Sequence, residues 1–296
     1  MSTDPPSEAD GVLPLRLPGG PRVLAEILGG GQSFLWGPLA PHHWRGTIGK
    51  HSFDVWVAGE DRVAWKGDGS TPVDEQRGRI ESYFSVPTDF CRIVDDMPWR
   101  SDPVLEEAVK AFPGLRILRQ QPETALLSFL LSPLKRIDQI RAGLLEIARR
   151  WGPSPDGECP VPPPWDRLAE ITEDDLRSCG IGYRARSIHQ TARFLQDRPD
   201  YLQNLENAPT ETARQALILL PGVGRKIADC VLLFGYGRYE AFPVDTWISR
   251  FMKSSYGLDG FTDDQVQRFA RAHYGSCAGV AQQFLFAHAR SLSSGK

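Results

Sequence analysis

The hydrophobic period of this chain changes once, near Pro72, and that change limits the folds open to it. From Leu13 to about Gly69, short runs rich in β-branched and aromatic residues read as strands. They are HWRGTIGK (43–50), SFDVWVAG (52–59) and DRVAWKG (61–67). Together they predict an antiparallel sheet, preceded by a short helix over PRVLAEILGG (21–30). After Pro72, apolar residues recur at three- and four-residue spacing, the mark of amphipathic helices. The runs include VDEQRGRIESYF, PVLEEAVKAF, PETALLSFLL and RIDQIRAGLLEIARRWG. A proline-rich stretch, GPSPDGECPVPPPW, cannot continue a helix. Helical spacing resumes in DRLAEIT, DDLRSCG, RARSIHQTARFLQD, ETARQALILL, TDDQVQRFARAHYG and AGVAQQFLFAHARSL. The expected fold is α+β: a small β-rich domain over residues 12–105, then a mostly helical domain over 106–296. Residues 1–11, polar and proline-rich, predict a disordered tail.

Bulk charge gives little guidance to a partner. The net charge is −3 and the pI about 6.1, so any nucleic-acid site must rest on a local patch. The five cysteines are scattered, without CxxC or a companion histidine spacing. That pattern argues against a disulfide framework, a zinc site or an iron–sulfur cluster, and no metal or cofactor is expected. No signal pattern opens the sequence and no apolar run is long enough to span a bilayer. The expected compartment is reducing: bacterial cytoplasm, in association with the nucleoid, or a eukaryotic nucleus.

The densest signal lies in LILLPGVGRKIADC (217–230). Pro221 must stop one helix, and RKIADCVLLF begins another. Gly222 and Gly224 suit backbone positions closed to residues with a Cβ. A glycine turn opening a helix presents unpaired N–H groups at its positive end, which binds anions. The spacing LPGVGRKIA, with Arg225 and Lys226 following the turn, is that of a helix-hairpin-helix DNA-binding element. Lys226 sits where the helix dipole opposes a positive charge, a placement that favours the neutral, nucleophilic amine. It shares a helix face with Cys230 at i+4, while Ile227, Val231 and Phe234 form an adjacent apolar stripe. Downstream, FPVDTWISRF reads as an extended arm with Asp245 capping an amphipathic helix. A cap fixes a carboxylate, which can then steady a developing sugar cation or assist proton transfer. A surface lysine on DNA phosphate and a purely capping aspartate are the plainer readings of the same residues.

LPGVGRKIADC followed by FPVDTW resembles the helix-hairpin-helix and aspartate of base-excision DNA glycosylases, and more narrowly the 8-oxoguanine DNA glycosylases with a catalytic lysine. GGGQSFLW (29–36), CGIGYRAR (179–186) and AGVAQQFLF (278–286) match further family stretches in family order. The resemblance covers nearly the whole chain after the first dozen residues. It implies a monomer acting on damaged double-stranded DNA, without a membrane partner. It also implies that Lys226 attacks C1′ of a flipped nucleotide, forms a Schiff base and cleaves the strand by β-elimination, with Asp245 assisting. Phe286 would stack on the base, Gln282 would bond its Watson–Crick edge, the Gly31 carbonyl would sense a purine N7 proton, and Cys230 would line the pocket. Tyr183 and Arg184 match family residues at the flipping wedge and the opposite base.

The match departs in one turn. Leu134, Lys135 and Arg136 replace asparagines that fill the gap left by the flipped base, and Gln139 replaces an arginine that reads the opposite cytosine. Trp247 replaces a histidine two residues past the aspartate. Lys135 and Arg136 keep the charge for phosphate contact, while the opposite-base preference stays open. A monofunctional alkylated-base glycosylase and a non-catalytic DNA-binding module are the alternatives. The former lacks a lysine at the hairpin, and the latter has no use for a lysine–aspartate pair.

Overall fold

A computed structural model describes residues 8–59, 61–153 and 159–294. The first seven residues of the expected tail and part of the proline-rich connection lie outside the described residues. The end of that tail is not disordered. Asp10 accepts a hydrogen bond from the Gly67 N–H at 2.9 Å, and Gly11 opens the first strand.

Five antiparallel strands form one sheet: β1 (Gly11–Arg16), β2 (Trp36–Ala40), β3 (His43–Ile48), β4 (His51–Ala58) and β5 (Arg62–Gly67), in the order β1-β5-β4-β3-β2. The three runs read from sequence are the three inner strands. Neither edge strand was anticipated, and each carries a proline, Pro14 or Pro38. Proline has no N–H to donate to a ladder, so it weakens the strand signal and is tolerated at sheet edges. Helix α1 (Gly20–Gly29) packs its Val23, Leu24, Ile27 and Leu28 face into the core beside β4.

Helices follow: α2 (Val73–Tyr83), α3 (Phe90–Asp96), α4 (Pro103–Ala111), α5 (Pro122–Leu130), α6 (Ile137–Trp151), α7 (Trp165–Glu170), α8 (Glu173–Leu176), α9 (Arg184–Gln196), α10 (Thr210–Ile218), α11 (Arg225–Phe234), α12 (Thr246–Tyr256), α13 (Asp263–Tyr274) and α14 (Ala278–Ser294). Between α8 and α9 the chain passes through Gly180 and Gly182, both at positive φ. The helix expected over 174–180 continues from α8 as a wider π turn over Arg177–Ile181, broken at Gly180, the last residue of the expected span. One apolar core runs from Leu13 in the sheet to Ala287 in α14. At its centre α5 packs on α11, with the Phe129 and Phe234 rings stacked at 5.5 Å.

Two buried polar assemblies hold the walls of the site. Gln32 donates to the Arg116 carbonyl at 3.0 Å and accepts from the Leu118 N–H at 3.0 Å, while Gln120 donates to the Gln32 carbonyl at 2.6 Å. The loop after α1 is thereby stitched to the segment entering α5. Behind the hairpin, Arg214 on α10 meets Asp229 on α11 at 2.7 Å, both side chains fully buried, and Gln267 on α13 donates to the same carboxylate. Burial alone would lower the Arg214 guanidinium, but the charges and hydrogen bonds of Asp229 and Glu211 together outweigh it and raise the group above its usual range.

Candidate active site

The mouths of two helices meet at one cavity of about 830 Å³. Its walls bring together Gly31, Lys135, Arg136, Gly224, Lys226, Ile227, Cys230, Asp245, Trp247, Gln282 and Phe286, residues drawn from all along the sequence. Arg225, Gly222, Tyr183, Arg184 and Gln139 lie outside its lining.

Lys226 stands in the first turn of α11, half-buried. Its Nζ donates to Ser132 Oγ at 2.9 Å and lies 5.2 Å from the centre of the Phe129 ring. The Ser132 hydroxyl proton is committed to the Phe129 carbonyl at 2.8 Å, so a hydroxyl lone pair faces the lysine. Cys230, one turn on along α11, lines the same cavity as Lys226. Burial pushes the Cys230 thiol up to about 12, with Lys226 pulling the other way and Asp245 and Asp229 adding to the rise. Cys230 is therefore a neutral thiol at physiological pH, not a competing nucleophile.

Asp245 caps α12 as its position in the sequence implied, accepting from the Ile248 N–H at 2.8 Å. That bond fixes the carboxylate on the same cavity wall as Lys226. Gly222 has φ +80, and a Cβ there would come within 2.4 Å of Ser187 Oγ, so the hairpin requires glycine. The expectation for Gly224 needs correction. Its φ of −93 is open to any residue, and a Cβ would meet nothing within 4 Å. What the absent side chain does is leave the N-terminus of α11 bare to an approaching anion.

The opposite wall comes from both ends of the chain. Gly31 has φ +107, and a Cβ there would touch Ile137 at 3.1 Å and the Phe286 ring at 3.6 Å. Phe286 thus faces the Gly31 backbone across a narrow gap. Gln282, one turn earlier on α14, is buried, and its Oε1 has no hydrogen-bond partner among the described residues. A buried unpaired acceptor lining a cavity is a site waiting for a donor. Arg290 secures this wall by stacking on Phe286 at 5.5 Å and bonding the Gly30 carbonyl at 2.7 Å.

Several anticipated residues are engaged elsewhere. Arg225 turns away from the cavity to Gln267 at 2.8 Å and Asp264 at 3.3 Å. Ile227 is buried, so only its backbone can meet a phosphate. Arg184 is buried beneath the Tyr183 ring and donates to the Ile181 and Pro133 carbonyls. In this arrangement it ties the bend before α9 to the α5–α6 turn and offers little to a base. Tyr183 itself is exposed. Gln139 is exposed and caps α6, accepting from the Arg136 N–H at 3.1 Å. Sequence reasoning did not anticipate Ser132, Phe129 or Arg290, and it noted Gln32 only within the GGGQSFLW match, without its role as a buried clamp. Ser132 lies 94 residues from the lysine it holds, and no local pattern pairs them. Leu134 was noted only as a replacement, yet it is 91% exposed with φ +55 at the cavity rim. Among the described residues no three His, Cys, Asp or Glu side chains converge as a metal site requires, and no helix is long and apolar enough to cross a membrane.

Fold and site together define a helix-hairpin-helix base-excision protein. Residues 135–273 match the model of the HhH-GPD superfamily of base excision DNA repair proteins, and residues 16–126 match that of the 8-oxoguanine DNA glycosylase N-terminal domain. The chain is 33% identical over 242 residues to a probable N-glycosylase/DNA lyase of Methanothermobacter thermautotrophicus, covering 74% of this chain and 76% of the relative. It is 30% identical to the N-glycosylase/DNA lyase OGG1 of Arabidopsis thaliana, covering 86% of this chain and 74% of that one. The crystal structure of Clostridium acetobutylicum 8-oxoguanine glycosylase/lyase, bound to double-stranded DNA with cytosine opposite 8-oxoguanine, superposes with a TM-score of 0.84. That comparison is at 30% identity and covers 91% of this chain and 92% of that one. The chain belongs to the 8-oxoguanine DNA glycosylase family.

Proposed function

We propose that this protein is a bifunctional DNA glycosylase and AP lyase that excises an oxidised purine, 8-oxoguanine above all, from duplex DNA. The observation that carries the reading is Lys226, held by Ser132 beside Cys230 inside a cavity shared with a helix-capping aspartate and an unpaired glutamine acceptor. The relatives, named as N-glycosylase/DNA lyases, support the same chemistry.

C1′ is inaccessible inside a stacked duplex, so the nucleotide must be extruded into the cavity. Phe286 supplies a stacking face, and Gln282 Oε1 accepts from the purine edge. Lys226 Nζ, as the free amine, forms a bond to C1′ while the N-glycosidic bond breaks and the base leaves with that electron pair, taking up a proton. Asp245 steadies the positive charge that builds on the sugar. The sugar ring opens to an imine on Lys226. Loss of the C2′ proton then expels the 3′ phosphate and cuts the strand.

Two variants test this. Lys226→Gln should give no borohydride-trapped protein–DNA adduct and lower excision on the order of a thousandfold or more. Persistent adduct, or base release without one in the wild type, would overturn the lysine mechanism. Asp245→Asn should lose roughly a hundredfold or more in single-turnover rate while keeping lesion-duplex affinity, because phosphate grip and chemistry use different groups. An unchanged rate would reduce Asp245 to a helix cap.

A further inference from the structure

A second groove, of about 620 Å³, runs between the sheet and α6 and shares Phe34, Ile137 and Asp138 with the lesion cavity. One face of α6 lines it: Ile137, Arg141, Leu145 and Arg149, spaced at four residues. Trp44 of β3, half-exposed, forms the facing wall.

Arg141 is half-buried there. Its guanidinium packs over Gly37 of β2, where a Cβ would lie 1.9 Å from Nη2. Glycine at that position is the seat for the arginine. Neither Arg141 nor Arg149 has a hydrogen-bond or ion-pair partner among the described residues. The acids nearest along α6 are already engaged: Asp138 by Arg136 at 3.2 Å, and Glu146 by Arg150 at 2.7 Å. Burial draws Arg141 below its usual range, with no carboxylate to restore it. A half-buried guanidinium without an acceptor keeps its donors available to solvent or to a ligand. Its planar fork matches two oxygens of a phosphate.

We propose that Arg141 and Arg149, beside Trp44, form a phosphate site distinct from the hairpin and from the lesion cavity. Phosphate of this kind can come from the DNA backbone flanking the extruded nucleotide, or from a free nucleotide or inorganic phosphate. The backbone source rests on the glycosylase reading, and anion binding itself does not.

The experiment compares wild type, Arg141→Gln and Arg149→Gln in two measurements. One is lesion-duplex affinity across a salt series. The other is phosphorus NMR line broadening of inorganic phosphate. For a backbone contact, Arg141→Gln weakens duplex binding roughly tenfold and reduces the salt slope by about 0.9, and Arg149→Gln moves both in the same direction. For a free anion, wild type broadens the phosphate signal, the variants do not, and duplex affinity stays unchanged. Variants that match wild type in both measurements overturn the site. Arg149 is exposed, so its variant keeps the test decisive should Arg141→Gln fail to fold. Borohydride trapping on the same samples reads the lysine chemistry separately, so loss of one assignment is not mistaken for loss of the other.

Discussion

Two turns flank Lys226, and they are built on opposite principles. The hairpin between α10 and α11 places its left-handed residue at Gly222, where glycine adopts that conformation without strain. It is clamped from α9, where the Thr191 hydroxyl donates to the Pro221 carbonyl at 2.9 Å and Ser187 fills the space beside Gly222. It is backed by the buried Arg214–Asp229 pair. The turn between α5 and α6 places its left-handed residue at Leu134, which bears a Cβ and projects almost fully into solvent. A branched side chain in that conformation costs about 1–2 kcal/mol. The hairpin is a braced mount for backbone donors and for Lys226, the proposed nucleophile. The second turn keeps strain and an exposed apolar side chain that the free protein does not need. Such an outlier at a cavity rim points to contact with the ligand.

The largest expected effect tests the mount. Asp229→Ala leaves Arg214 buried without its main partner and should lower unfolding free energy by about 3–5 kcal/mol in urea titration. A loss below about 1 kcal/mol would mean that the pair does not brace the hairpin. Next, Gly222→Ala should cost about 1–3 kcal/mol through strain and collision with Ser187. Adding Ser187→Gly should recover the collision and not the strain, so partial rescue is the expected reading. Full rescue would show that the left-handed backbone matters little. The smallest effect tests the other turn. Leu134→Gly should raise stability by roughly 0.5–1 kcal/mol by relieving strain, while weakening binding to a lesion duplex. A variant that is both more stable and equally tight would remove any reason for leucine at this position.

The same contrast explains what could be read in advance. The hairpin was legible because it is local: a proline stop, two glycines and a lysine within six residues announce a turn and a helix mouth. Asp245 was legible as a cap for the same reason. The inner strands carried clear β signals, whereas the edge strands were hidden by Pro14 and Pro38. Arg184 and Gln139 could be placed near the opposite strand by resemblance alone. Their side chains are instead engaged with the Pro133 and Ile181 carbonyls and with the N-terminus of α6, and local sequence does not reveal such competition.

The inner strands, the helix-hairpin-helix, and Lys226 and Asp245 at two helix mouths follow from the sequence, because backbone preferences and helix-end electrostatics act over a few residues. That Ser132 holds Lys226, that Phe286 faces Gly31, that Arg290 bonds the Gly30 carbonyl 260 residues away and that Arg141 lacks a partner were decided only by the packed fold. Those contacts depend on where whole helices settle against one another. No periodicity within a single segment encodes that position.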